Sequence, residues 1–333
     1  MLAVAFSPVP PPWLKSFVAR CVRVEGVTRH CRLLRGLYGV KALRWLFAKL
    51  ESNHSPSRPM KSSYFKTHRQ MKLFTKSIMM KTISITNQKG GVGKTTTAVN
   101  LSAGLARRGF RVLLVDSDPQ CNASTHLGVT HEEDKRTLDD LYYQPELQPS
   151  EVIQPARGFD LLPAGQALAY AEQKLAGVPG REMILSEKLA GLSAHYDFCI
   201  IDCPPNLGFL TINAYTASDG LIITVKPEYF ALEGLKQIHS ILGFIRKRLN
   251  PDLDILGYVI TDFDARKNQH KEIRRAMFRT FNGKVFDTTI RTNARLSDCS
   301  SAGSSIFEFA PKTYGAIDYL NLAKELEVRH GQA

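Results

Sequence analysis

Ile83-Ser84-Ile85-Thr86-Asn87-Gln88-Lys89-Gly90-Gly91-Val92-Gly93-Lys94-Thr95-Thr96 is the stretch whose reading decides the fold. It runs from a short apolar strand through a glycine-rich loop into the start of a helix. Glycines at 90, 91 and 93 let backbone N–H groups turn inward on an anion, and the helix N-terminus behind them adds the positive end of its dipole. In such a phosphate cradle Lys94 reaches the β- and γ-phosphates and the Thr95 hydroxyl holds Mg²⁺. The general phosphate-loop pattern has glycine where this chain has Gln88, and Lys89 stands directly ahead of the glycines. The plain alternative, a glycine-rich turn between strand and helix, requires all of these features to coincide by chance.

Outward from the loop, strand and helix patterns alternate, as a parallel sheet with helices on both faces requires. Strands are expected at Thr82–Thr86, Val112–Val115, Phe159–Leu162, Phe198–Asp202, Leu221–Val225 and Ile255–Thr261, with a final edge strand at Val285–Ile290. Helices are expected at Lys94–Arg107, capped by Gly109, and at Thr137–Leu141, Ala167–Leu175, Arg181–Leu192, Lys271–Phe281 and Tyr314–Val328. Another carries Leu235, Ile238, Leu242, Ile245 and Leu249, whose steps of three and four mark one buried face. The fold class read from this order is α/β: a doubly wound, mostly parallel sheet over residues 80–333, with no internal repeat.

Charge separates that region from what precedes it. Residues 1–80 contain 15 Lys/Arg and 2 Asp/Glu, a net of 15 − 2 = +13, which leaves 29 basic and 29 acidic residues in the remainder. The basic pI therefore says nothing about the main domain, where any nucleic-acid reading must rest on local clusters. Within the basic N-terminal extension, 1–79, Leu34, Leu37, Val40, Leu43, Phe47 and Leu50 follow helical steps among arginines and lysines, weakened by Gly36 and Gly39. Three readings stand open: an organelle transit peptide, an arm that touches DNA or membrane, or an upstream start assignment, with Met79 or Met80 as the biological start. The six cysteines form no C-x-x-C pair, which fits a reduced, cytosolic compartment. No apolar run approaches the ~20 residues needed to span a bilayer, so stable membrane insertion is not expected.

Carboxylates at the C-terminal ends of strands beside a phosphate loop are where an α/β sheet places its ligand chemistry. Asp202 ends one apolar strand and stands where a Mg²⁺-holding aspartate is needed, through water, since Mg²⁺ keeps much of its hydration. Asp116 and Asp118 follow the neighbouring strand. For a single strand-end aspartate the competing role is a helix cap or turn residue. Basic residues cluster late in the chain: Lys271, Arg275 and Arg279 on one stripe opposite Ile273 and Met277, with Arg274 alongside, and Arg266, Lys267, Arg291 and Arg295 in nearby loops. Such a set suits sequence-indifferent phosphate contacts; a solvated helix face is the competing reading for the stripe.

KGGVGKTT resembles the deviant Walker A motif of the ParA/MinD class of ATPases. TNQKGGVGKTTTAVNLSAGLA, LLVDSDPQ, FCIIDCPPNLG, VKPEYFALEGL and IRTNARLSD follow in that family's order and look like the short, Soj-type ParA proteins of DNA partition. The resemblance implies an ATP hydrolase using ATP and Mg²⁺. Lys89, Gly90, Gly91, Val92, Gly93, Lys94, Thr95 and Thr96 would hold nucleotide, and Thr95, Asp202 and Asp116 would lie at the metal. Lys89, Lys94 and Asp118 would be catalytic: Asp118 positions attacking water, and Lys89 reaches the nucleotide of a second chain as an arginine finger does in trans. It further implies an ATP-dependent homodimer, nonspecific double-stranded DNA at Arg291 and Arg295, a ParB-like centromere-binding partner, and a cytoplasmic, nucleoid-associated location. Organelle import would require residues 1–79 to be a genuine transit segment.

The terminal Leu320–Val328 stretch is not basic, unlike the membrane helix of MinD-like proteins. Neither cluster-binding cysteines nor a second phosphate loop is present. Departures from the pattern are Asp298-Cys299-Ser300 where relatives have Glu-Ala-Pro, and Ala310 where an acid is common. The same engine could instead position protein cargo or repress its own operon. Metabolic phosphoryl transfer is the outsider, recognisable by acceptor-dependent consumption of ATP.

Overall fold

The computed structural model describes residues 80–129, 135–229 and 231–331. The expected extension at 1–79, with its amphipathic helix and its candidate starts before Met80, lies outside the described residues.

Seven strands form one sheet: β1 (Lys81–Thr86), β2 (Val112–Asp116), β3 (Gln154–Ala156), β4 (Phe159–Leu162), β5 (Phe198–Asp202), β6 (Gly220–Val225) and β7 (Asp254–Ile260). Their order across the sheet is β3-β4-β2-β5-β1-β6-β7. All pairs are parallel except β3 with β4. A parallel sheet is buried on both faces, so its strands read as continuous apolar runs, and successive side chains part to opposite sides. Leu113, Val115, Cys199, Ile201, Leu221 and Ile223 enter one core. Their neighbours Val112, Leu114, Phe198, Ile200 and Ile222 enter the other.

Helices cover each face. The second core is closed by α1 (Lys94–Arg107) through Val99, Leu101 and Leu105, and by the C-terminal helix at Tyr314–Gly331 through Tyr319, Leu322 and Leu326. Between α1 and that last helix come α2 (Asn122–His126), α3 (Leu138–Tyr143), α4 (Ala171–Lys174), α5 (Ile184–Ala190), α6 (Phe209–Ala217), α7 (Ala231–Arg248), α8 (Asn268–Thr280), α9 (Arg295–Ser301) and α10 (Ile306–Phe309), so the last is α11. The first core is covered by α6 and α7, where Leu235, Ile238, Leu242 and Ile245 form the buried face expected from their spacing.

The expected edge strand at Val285–Ile290 is not a strand. The segment meets β7 at an isolated bridge, Tyr258 with Val285, and again at Ile290, whose amide donates to the Ile260 carbonyl at 2.8 Å. In between, the amides of Asp287 and Thr288 donate to the Glu325 carboxylate of α11 at 2.9 and 3.0 Å. A side chain from another helix takes the donors a ladder would need, and the segment bows away from the sheet. Gly257 lets it pass close: a Cβ there would stand 2.4 Å from the Phe286 ring and 2.9 Å from the Lys284 carbonyl oxygen. Helix α6 was not anticipated from the sequence because it is buried nearly all round and shows no amphipathic stripe; nor were the antiparallel edge β3 and the short helices α2, α9 and α10. Each of the latter is too short to carry a periodic pattern.

Candidate nucleotide site

The loop Asn87–Gly93 lies between β1 and α1, at the C-terminal edge of the sheet. Asn87 staples it to the neighbouring strand: its side-chain amide donates to the Thr224 carbonyl at 2.6 Å, and its Oδ1 accepts from the Lys89 amide at 3.0 Å. Gly91 and Gly93 have φ of 71° and 78°, a left-handed conformation that costs other L-residues roughly 1–2 kcal/mol. The Thr261 hydroxyl, just beyond β7, donates to the Val92 carbonyl at 2.9 Å. The loop is thus held at one end by the Asn87 side chain on β6 and in the middle by Thr261 beyond β7.

This loop, the segments after β2 and β5, and α9 enclose a cleft of about 510 Å³. Gly90, Gly91, Gly93, Lys94, Thr95 and Thr96 line one side, and Asp118, Asn122, Ser300 and Ser301 are among the residues opposite. Lys94 is buried, and its ammonium donates to the Lys89 carbonyl at 3.3 Å. Burial lowers its pKa, opposed by the charges of Asp202 and Asp118.

The two strand-end aspartates directly across the β2–β5 pair differ sharply. Asp116 is fully buried and satisfied: Oδ2 accepts from the Ser124 amide and hydroxyl at 2.8 and 2.7 Å, and Oδ1 from the Asp118 amide at 3.2 Å. Burial nevertheless raises its pKa to about 6. Its contacts are those of a residue that shapes the turn and anchors α2. Asp202 is equally buried, but neither carboxylate oxygen has a hydrogen-bond partner. Burial first, then the charge of Asp116, pushes its pKa well up, against the nearby Thr95 hydroxyl and Lys94 ammonium. A buried carboxylate left without a donor is costly, and a cation beside Thr95 would relieve it.

Among the described residues no three His, Cys, Asp or Glu side chains are grouped to hold a metal ion. Mg²⁺ is commonly bound through one or two carboxylates plus water and substrate phosphates. Asp202 and Thr95 fit that requirement without a closed protein cage.

Asp118 is 5% exposed, and its Oδ1 accepts from the Gln120 amide at 3.0 Å. It borders both the main cleft and a second cavity of about 310 Å³ that also contacts Glu172, Asn206 and Phe209. Lys89 is elsewhere. It is not among the residues lining the cleft; its side chain is 55% exposed and forms an ion pair with Glu228.

The candidate DNA residues do not form one uniform surface. Lys267, Lys271 and Arg275 are exposed, and Arg279 continues the stripe on α8 with Met277 buried opposite. Arg266 is 91% exposed at its side chain and pairs with Asp264 at 2.9 Å. Arg295 pairs with Asp298 at 3.2 Å. Arg291 is committed further, with its guanidinium 2.6 Å from buried Asp318 and stacked on the Tyr314 ring. Cys299, at the departure from the family pattern, is buried against the His126 ring at 3.7 Å.

A family profile described as an AAA domain matches residues 80–255. The chain is 45% identical over 253 residues to the sporulation initiation inhibitor protein Soj of Bacillus subtilis, covering 74% of this chain and 98% of that protein. It is 42% identical over 254 residues to the chromosome-partitioning ATPase Soj of Thermus thermophilus, covering 75% and 97%. Among solved structures, a Mycobacterium smegmatis protein named cobyrinic acid a,c-diamide synthase, with bound ADP and magnesium, superposes with a TM-score of 0.67 at 32% identity, covering 77% and 96%. The septum site-determining protein MinD of Pyrococcus horikoshii, complexed with Mg-ADP, gives 0.62 at 25% identity, covering 74% and 96%. Among the described residues no helix is long and apolar enough to cross a membrane.

Proposed function

The chain belongs to the ParA/Soj family of P-loop ATPases, which use ATP and Mg²⁺, and from that membership we propose that it is a DNA-partition switch. Residues 80–333 act as its ATPase domain. ATP closes two chains face to face, the dimer holds double-stranded DNA without reading sequence, and a ParB-like partner stimulates hydrolysis and release.

The observation that carries this reading is the division of labour between two lysines. Lys94 is buried in the cleft, while the side chain of Lys89, five residues earlier, is 55% exposed and pairs with Glu228. An exposed lysine on a phosphate loop is available to another chain's nucleotide.

Within one chain, Gly90–Gly93 and the start of α1 bind phosphate oxygens through backbone N–H groups. Lys94 neutralises the γ-phosphate, and Thr95 with Asp202 would hold the cation. Mg²⁺ supplies charge neutralisation on the phosphate oxygens. Asp118, at the meeting of the two cavities, is placed to orient water, and Lys89 of a second chain completes the charge balance. Asp116 supports the turn that carries Asp118. Lys267, Lys271 and Arg275, with Arg266 and Arg295 in support, are the phosphate contacts for DNA.

The test is light scattering with ATP and Mg²⁺ on the wild type and on Lys89→Ala, alongside hydrolysis with and without DNA. The variant should bind ATP, remain monomeric and fail to turn over. A variant that dimerises and hydrolyses normally overturns the trans role. Metabolic phosphoryl transfer would instead show acceptor-dependent consumption of ATP.

A further inference from the structure

We propose that Glu228 is a positioning residue that holds Lys89 against its own chain and hands it over when a second chain docks. The inference rests on the dimer reading above and adds the contact that regulates it.

Glu228 lies three residues beyond β6, in a turn where its amide donates to the Lys226 carbonyl and its own carbonyl accepts from the Ala231 amide, at 2.8 and 2.9 Å. Asn87 fixes the backbone of Lys89 alongside: one end of its amide bonds to Thr224 in β6, the other to the Lys89 N–H. With both backbones pinned, the Lys89–Glu228 contact is made and broken by side-chain torsions alone. The pair is half-exposed, 55% and 41%, so no desolvation penalty locks it.

Glu228 also has a second cation waiting. Lys226 Nζ lies 3.6 Å from Glu228 and 3.0 Å from Asp262. When Lys89 swings away, Lys226 remains to neutralise Glu228, and no charge is stranded. Lys226 and Lys89 therefore compete for one carboxylate, which makes opposite predictions for two substitutions. Removing the carboxylate frees Lys89, whereas removing its competitor tightens the grip. The lowered pKa of Glu228, caused first by its hydrogen bond from Lys89, is consistent with a carboxylate kept ionised between two lysines.

The experiment uses the full chain and two readouts. Without nucleotide, the rate of amine acylation at Lys89 is followed by peptide mass spectrometry. With Mg²⁺, the ATP concentration at half-maximal dimer is measured by light scattering. Glu228→Gln should raise the acylation rate and lower the half-maximal ATP concentration, each by about two- to fivefold, the range an exposed ion pair supports. Lys226→Met should shift both the other way. Equal acylation in wild type and Glu228→Gln, or a Glu228→Gln variant that needs more ATP to dimerise, overturns the proposal. A wild type that never dimerises overturns the partition reading and the switch with it. A wild type that dimerises like both variants overturns the switch alone.

Discussion

The Thr261 hydroxyl donates a 2.9 Å hydrogen bond to the carbonyl of Val92, joining the end of the edge-ward strand β7 to the middle of the phosphate loop across 169 residues of sequence. The loop's shape is therefore partly a property of the strand at the far side of β6. Replacing Thr261 by Val keeps the side chain's size and deletes the donor. Urea unfolding should show a loss of about 1 kcal/mol, and calorimetric titration should show weaker ATP binding. Unchanged ATP affinity would mean that the bond serves the fold alone.

Asp202→Asn separates stability from ligand binding. In the nucleotide-free protein the raised pKa of Asp202 means that stability is fullest below the ordinary carboxylate pKa, where the group is protonated, and is lost as pH rises and the buried group must ionise. The variant should lose less stability toward alkaline pH, by about 1 to 3 kcal/mol. It should also lose the thermal stabilisation that Mg²⁺ with ATP confers on the wild type. Melting curves across pH, with and without Mg²⁺ and ATP, read both effects.

Asp118→Ala should leave ATP binding intact and slow hydrolysis by about 100-fold or more. The dimer formed with ATP should then persist, visible as a high-mass species that fails to decay in light scattering. A dimer that decays at the wild-type rate would remove Asp118 from the water-positioning role.

His126 is buried beside Cys299, and burial lowers its pKa to about 4 from an ordinary 6.5. Between those values the unfolded chain binds a proton that the native chain does not, so stability is complete above pH 6.5 and falls as pH drops toward 4. The loss is about 3 kcal/mol at most. His126→Gln should flatten that part of the pH profile in thermal melts, relative to wild type.

Among the basic residues, Lys271→Ala and Arg275→Ala should each weaken DNA binding equally on unrelated sequences. Each should reduce the slope of log affinity against log salt by about 0.9. Arg291→Ala should behave differently, because it strips buried Asp318 of its guanidinium partner and leaves it only the backbone amide of residue 291. A drop in stability of about 1 to 2 kcal/mol is expected there, measured by urea unfolding, with a smaller change in salt slope.

Much of the sheet was legible because buried parallel strands are short apolar runs closed by turn residues. Val112–Asp116 and Phe198–Asp202 needed only one residue of adjustment between them. Val285–Ile290 bonds to β7 through the Phe286 and Ile290 amides but is not a strand, since the Asp287 and Thr288 amides between them are claimed by Glu325 from a helix nearly forty residues later. Among the site residues, the phosphate loop was readable from spacing because its chemistry is local. Asp116 and Asp202 looked alike as strand-end carboxylates. What separates them is Ser124, which satisfies one and is out of reach of the other.

Sequence by itself determined the order of strands and helices, the cradle at Gly90–Thr95 and the presence of a second lysine ahead of it, since each depends on neighbours within a few residues. Only the tertiary structure decided which carboxylate is left without a donor, that Arg291 is tied to Asp318, and that Lys89 is exposed and paired with Glu228. Those outcomes depend on which groups the packed sheet brings within about 3 Å of one another, and the partners are separated by 8, 27 and 139 residues for Asp116–Ser124, Arg291–Asp318 and Lys89–Glu228.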